Sequence, residues 1–203
     1  MKRADRALKL FAAFVLVVFV ACAVHFVMKF IRCVLSVAPV SAVESYEPVQ
    51  VFIFGSSGDS VSASVSVLNA DGGVLAQIER SWNSAGISID FITVSFASRT
   101  LSFPERVYAN RMMSVSTRSG VSLPRYYMRG GSCQLFASAY RPLPEKEQRA
   151  RDFLADFALS PAAHLFRSFI RVQTVNLSYC VPGRAYSIKA EPNGNLFLYP
   201  VTY

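Results

Sequence analysis

The chain has 203 residues, 52% of them hydrophobic, and a formal net charge of +8. Residues 1–42 hold six Lys/Arg and one Asp, a balance of +5; the rest hold fifteen Lys/Arg and twelve Asp/Glu, a balance of +3. The longer part is only mildly basic, which excludes whole-chain charge as an argument for nucleic-acid binding. Its cysteines also lack the spacing of a zinc site.

Residues 1–9 carry Lys2, Arg3, Arg6 and Lys9 against Asp5. The nineteen residues from Leu10 to Met28 carry no formal charge, and His25 is their one strongly polar side chain. Crossing a hydrocarbon core of roughly 30 Å takes about 20 helical residues. The run therefore predicts a transmembrane helix over residues 10–28, with the apolar helix extending as far as 37. The balance is +3 before the run and +2 (Lys29 and Arg32) after it. That bias places residues 1–9 in the cytoplasm and the remainder outside.

Three fates compete for this segment. The preferred one is an uncleaved signal anchor. A cleaved signal peptide would use Val40-Ser41-Ala42, but Lys29 and Arg32 stand between the apolar run and that site. A lipoprotein would use Phe19-Val20-Ala21-Cys22 and makes Cys22 a candidate lipidation site, but the residues that follow stay apolar. Cys22, His25, Lys29, Arg32 and Cys33 fall within roughly 100° of one helix face. Such a polar stripe faces a partner helix, or its cations snorkel to the headgroups.

Residues 38–48, with two prolines and two glutamates, read as a linker. Residues 49–203 then suffice for one extracytoplasmic domain with its own core. The segment Gly55-Ser56-Ser57-Gly58-Asp59-Ser60 reads as a turn rather than a serine nucleophile, because Gly, Ser and Asp are turn residues. In SVSASVSV, Val61, Ala63, Val65 and Val67 alternate with serines, as in a half-buried strand. Residues 69–73 (NADGG) turn the chain into VLAQIERSW, making a hairpin. Residues 83–86 turn it again into ISIDFITVSFAS. Gln134 to Tyr140, VQTVNLSYCV, RAYSIKAE and NLFLYPV read as further strands. Asn193-Gly194 is a strong hairpin signal between the last two.

A helical insert over residues 144–171 interrupts the strands. Pro144, Glu145 and Glu147 suit a helix start. Glu145 with Arg149, and Glu147 with Arg151, have the spacing of helix-surface pairs. Ala150, Phe153, Leu154 and Phe157 form the apolar stripe. Ser160-Pro161 starts a second helix with the stripe Ala162, Leu165, Phe166, Phe169 and Ile170. The expected fold class is thus α+β and β-rich. An N-terminal transmembrane helix precedes an antiparallel sheet domain, barrel-like or sandwich, with a two-helix insert that covers a sheet face, the alternative being a lid on an apolar cavity.

Catalytic signatures are missing from the sequence. It has no GxSxG elbow, no phosphate-cradling loop with Lys, and no HExxH. His25 lies in the membrane run and His164 on the polar flank of the second short helix. Glu79, Asp90, Asp152 and Asp156 are scattered. No catalytic residue, cofactor or metal site is expected, and the chain does not read as an enzyme. Cys133 and Cys180 share the exported domain and are a candidate disulfide, the alternative being two free buried thiols. Asn176-Leu177-Ser178 matches a glycosylation sequon.

One stretch stands out. Arg106, Arg111, Arg118, Arg125, Arg129 and Arg141 occur with no acid between Glu105 and Glu145, interleaved with Tyr108, Tyr126, Tyr127 and Tyr140. Arg and Tyr populate interface hot spots, and Arg takes carboxylate or phosphate in a fork. Arg118, Arg125, Tyr126, Tyr127 and Arg129 are the candidate partner or anion contacts.

In outline the chain resembles type IV pilins, but it lacks their glycine before the helix and the glutamate that follows. The run IERSW, then Phe103-Pro104, then LSYC with a closing Gly-containing hairpin, resembles uncharacterised spirochaete envelope proteins over a minor part of the chain. That resemblance implies a bacterial envelope setting and assigns no residue a role. The expected function is a single-pass protein of the bacterial inner membrane whose domain faces the periplasm and binds a protein partner or organises an envelope complex. The alternative is a tethered carrier of lipid or another apolar ligand. The membrane is an expected partner; nucleic acid is not.

Overall fold

The computed structural model describes residues 2–37, 40, 44–96, 99–110, 120–160, 163 and 168–201. Helix α1 (Lys2–Val37) runs 36 residues without an internal Gly or Pro. Within it Leu10–Met28 has a mean hydropathy of 2.8 and is 0% buried. A 36-residue helix is about 54 Å long at helical rise, longer than the hydrocarbon of a bilayer. α1 lies against a later helix, α3 (Glu145–Leu159).

The strands form two antiparallel sheets, giving a sandwich-like α+β domain. Their ranges are β1 (Tyr46–Ser57), β2 (Ser60–Leu68), β3 (Val74–Trp82), β4 (Ile87–Phe96), β5 (Arg99–Ala109) and β6 (Val121–Ser122). After α2 (Pro124–Tyr127) come β7 (Met128–Arg129) and β8 (Ser132–Cys133), and after α3 come β9 (Ile170–Asn176), β10 (Arg184–Ala190) and β11 (Leu196–Pro200). Sheet A has the order β11-β10-β1-β2-β3 and sheet B the order β6-β5-β4-β9; β7 and β8 make a separate ribbon. The turn at residues 83–86 therefore does not close a hairpin. It carries the chain from the edge of sheet A to the middle of sheet B.

Alternation fills the space between the sheets. Val49, Val51 and Ile53 of β1, Val61, Ala63, Val65 and Val67 of β2, and Ile188 of β10 are at most 4% exposed. Ile87, Ile89 and Phe91 of β4 and Val107 of β5 are fully buried. β4 is buried on both faces near its centre, since Ile92 and Val94 are also covered. The β10–β11 turn seats on sheet B: Gln173 Nε2 donates to the Gly194 carbonyl at 2.8 Å and to Thr93 Oγ1 at 3.0 Å.

The free edge of β5 is closed by side chains. β6 pairs only with Arg106 and Val107. Beyond it, the Tyr46 hydroxyl accepts from Ser102 N–H at 2.9 Å and donates to the Ser102 carbonyl at 2.5 Å, while Tyr127 Oη donates to the Pro104 carbonyl at 2.8 Å. Unpaired strand edges template aggregation, and two tyrosines cover this one.

Three local expectations change. β1 starts at Tyr46, inside the expected linker, because a register shift between Tyr46 and Val49 accommodates Pro48, which has no N–H to give. Gln134–Phe136 is a 3-10 turn rather than a strand. Within it the consecutive residues Leu135 and Phe136 are both buried, positions that a strand would place on opposite faces. Ile170 opens β9, paired with Val94, rather than closing a helix stripe. Of the second expected helix, Pro161, Ala162, Leu165 and Phe166 lie outside the described residues, as does His164.

Candidate functional site

Helix α3 positions the most unusual side chain of the domain. Of its two i,i+4 pairs, Glu145–Arg149 is exposed, with side chains 78% and 74% accessible. Glu147–Arg151 is not a surface pair: both side chains are 8% accessible, and Arg151 Nη2 meets Glu147 Oε1 at 2.5 Å. The guanidinium carbon of Arg151 lies 4.9 Å from the centroid of the Phe136 ring. Among the described residues its Nε–H has no hydrogen-bond partner. A buried ion pair recovers its desolvation cost only when the remaining donors are satisfied, so an orphaned Nε is a conspicuous feature.

Arg151 forms part of the wall of an open cleft of about 450 Å³. Tyr46, Phe136 and Leu143 supply its apolar side, and Tyr140 and Arg141 stand at the exposed rim. Tyr46 and Phe136 meet edge to face at 5.1 Å, and Phe136 meets Phe103 the same way at 5.9 Å. Burial raises the ionisation of the Tyr46 hydroxyl above the ordinary tyrosine range, so it remains a neutral donor. Glu44 and Ser45, the last residues before β1, complete one end.

The rim loop is fixed by Asp71 of the β2–β3 turn. Asp71 Oδ1 accepts from Ser138 Oγ at 2.6 Å, and Oδ2 accepts from Ala139 N–H at 2.6 Å. Ser138 Oγ in turn accepts from Arg141 N–H at 2.9 Å. Both oxygens of Asp71 are thus engaged by the loop that presents Tyr140 and Arg141.

Of the expected Arg/Tyr patch, the fold takes Tyr127 into the core. Tyr127 is fully buried and serves the β5 edge. Arg125 Nη2 donates to Tyr126 Oη at 2.7 Å and lies 4.7 Å above that ring, so these neighbours satisfy each other. Arg129 is exposed on β7. Arg118 and Arg111 lie outside the described residues. Of the described arginines and tyrosines of the acid-free stretch, Tyr140 and Arg141 reach the cleft.

Cys133 and Cys180 carry free thiols, so the candidate bridge between them is not formed. Cys133 is buried on β8 and Cys180 half-buried in the loop before β10; burial pushes their thiols up to about 12 and about 11. Cys22 is exposed on α1 and free. The carboxylates are engaged locally. Asp152 Oδ1 accepts from Cys133 N–H at 2.7 Å and Gln148 Nε2 at 2.8 Å, and Asp90 Oδ1 accepts from Thr174 Oγ1 at 2.6 Å and Tyr108 Oη at 3.0 Å. Among the described residues no group of three or more His, Cys, Asp or Glu is placed to hold a metal ion. Asn176 Oδ1 accepts from Ser178 N–H at 2.9 Å, which makes the sequon a local turn.

Sequence reasoning missed Arg151 because it treated the pair with Glu147 as a solvated one. The signal was present: residues 147, 150, 151, 154 and 158 share one helix face, and that face includes Ala150 and Leu154 of the apolar stripe. No family model matches the chain, and no curated protein or solved structure matches it either.

Proposed function

We propose that this is a single-pass membrane-anchored envelope protein whose β-rich domain, held outside the cytoplasm, binds a partner or organises an envelope complex. The observation that carries the reading is the wholly uncovered Leu10–Met28 run inside a helix that continues to Val37. A soluble chain rarely leaves so large a contiguous apolar surface bare. The charge bias across the run favours a cytoplasmic N-terminus. The carrier alternative draws less support: the core between the sheets is filled, and the cleft is open and lined partly by charged side chains.

The test is topology with partner capture. In a cell that expresses the full chain, the protein is expected to resist carbonate extraction. Its domain after residue 43 should become protease-sensitive once an outer barrier is opened, while the cytoplasm stays sealed. In-cell crosslinking of the same strain should return discrete envelope partners. A domain that fractionates with soluble cytoplasm and stays protected would remove the reading.

A further inference from the structure

We propose that the outward face of sheet A is a seat for a neutral glycan chain. Alternation along the strands assigns this face. Val51, Val65 and Ile188 are buried in the core, so Gln50, Ser66 and Ser187 beside them point outward. The register aligns Tyr199, Ser187, Gln50, Ser66 and Gln77 in one row across all five strands. Every member of that row carries a hydroxyl or a carboxamide. A further row adds Ser62 and Ser81, whose hydroxyls meet at 2.6 Å.

Aromatic rings flank the polar row. Phe52 and Phe54 meet edge to face at 5.1 Å, and Phe54 is 51% exposed. Phe197 and Tyr199 lie on the same face along β11, and Phe197 is 48% exposed. Singly exposed apolar residues are ordinary, whereas a grouped set marks a binding surface. β1 and β11 are separated by β10 alone, so the two aromatic pairs stand on strands roughly 10 Å apart. That is the scale of two linked sugar rings.

The chemistry of the face selects its occupant. A sugar ring offers C–H faces to aromatic rings, and its hydroxyls both donate and accept, as serine hydroxyls and carboxamides can. A second sheet would need large apolar side chains to interdigitate with, and would strand the serine hydroxyls. A nucleic acid or another polyanion would need an excess of cations. Here Lys189 stands against Glu47 and Glu79, and those two acids are already bonded to Ser187 at 2.7 Å and Gln77 at 2.8 Å. The face is also open: α3 packs against β4 and β5 of the other sheet, and Gln77, Glu79 and Ser81 are exposed. A cell-envelope source for the glycan rests on the reading above; the binding of a neutral glycan does not.

The experiment uses the full chain in octaethylene glycol monododecyl ether, a detergent without sugar. Calorimetry follows titration with chitohexaose, with cellohexaose and with monomeric N-acetylglucosamine. At least one hexamer is expected to bind saturably, about tenfold or more tighter than the monomer, because it spans several contacts at once. Phe54→Ala and Phe197→Ala should each weaken it at least about fivefold. Arg141→Ala, in the cleft on another part of the domain, should leave it unchanged. If Phe54→Ala does not fold, Phe197→Ala decides. No saturable binding by either hexamer, or unchanged binding in both aromatic variants, overturns the proposal. A chain dimer that binds no glycan and is lost in Phe54→Ala also overturns it, and gives the face to a second copy. Because binding is read in detergent, its failure counts against the face alone, whereas failure of the anchor is read by extraction and protease.

Discussion

The Tyr127 hydroxyl donates to the Pro104 carbonyl at 2.8 Å, on a stretch of β5 that β6 does not reach. Tyr127 is fully buried, and that burial raises its ionisation well above 10.0. The neutral phenol is therefore the folded form, whereas the unfolded chain loses this proton near pH 10. Above that pH the unfolded state binds fewer protons than the native one, so stability falls by about 1.4 kcal/mol per pH unit for each such group. Below pH 9 the group adds no slope. Tyr127→Phe should cost about 1 kcal/mol at pH 7, since it leaves the Pro104 carbonyl without its donor. Its stability should decline less steeply than wild type above pH 10. Urea unfolding at pH 7, 9, 10 and 11 measures both effects, and parallel curves would refute the pH part.

The buried pair on α3 makes a second prediction. Glu147→Gln alone leaves the Arg151 charge uncompensated and should destabilise by about 3–5 kcal/mol. Glu147→Gln with Arg151→Met removes both charges and should cost less than the single change. The exposed pair is the control: Arg149→Ala should shift stability by no more than about 0.5 kcal/mol. Chemical denaturation of the three variants gives the ranking, and equal losses from Glu147→Gln and Arg149→Ala would contradict it.

Gly194 is constrained twice. Its φ is +85°, and a Cβ there would stand 2.6 Å from Thr100 Cγ2. Gly194→Ala should therefore lose about 1–2 kcal/mol from the left-handed backbone, with further cost from overpacking. Thr100→Ser removes the offending methyl, so adding it to Gly194→Ala should return part of the loss. The signature is a double-mutant coupling of at least about 0.5 kcal/mol; strict additivity would show that the turn does not press on sheet B.

Thiol chemistry checks the cysteine assignment. In a chain with Cys22 and Cys33 replaced by Ala, both remaining thiols have little thiolate at neutral pH because burial raises them. Cys180, half-buried, should label slowly with an aromatic disulfide reagent, and Cys133 only on unfolding. A linked Cys133–Cys180 peptide from the untreated protein would refute the free-thiol state.

The hairpins were legible because their chemistry is local. Alternation in SVSASVSV, the glycines after Asn69 and the Asn193-Gly194 pair each specify a turn or a face without help from distant residues. The apolar helix over Leu10–Met28 was legible for the same reason. What stayed hidden is set by tertiary pairing. Nothing near Trp82 tells that β3 and β4 belong to different sheets, and Tyr127 reads as an interface residue until Pro104 is seen beside it. Arg151 reads as solvent-exposed until Phe136, fifteen residues earlier, is folded beneath it. The two rim residues of the cleft lay in the stretch that composition singled out, but the other described arginines and tyrosines of that stretch do not line it.

The pairing of β1 with β10 also sets the order in which the domain can be completed. Synthesis delivers β1 soon after the apolar helix α1, yet its partner on one side is contributed by residues 184–190. Until those arrive, β1, β2 and β3 form a meander with an open edge and an uncovered apolar face. Formation of such long-range pairs is slow. The interval between the first strand and the tenth is when this chain is most open to misassociation, and when a chaperone has most to offer it.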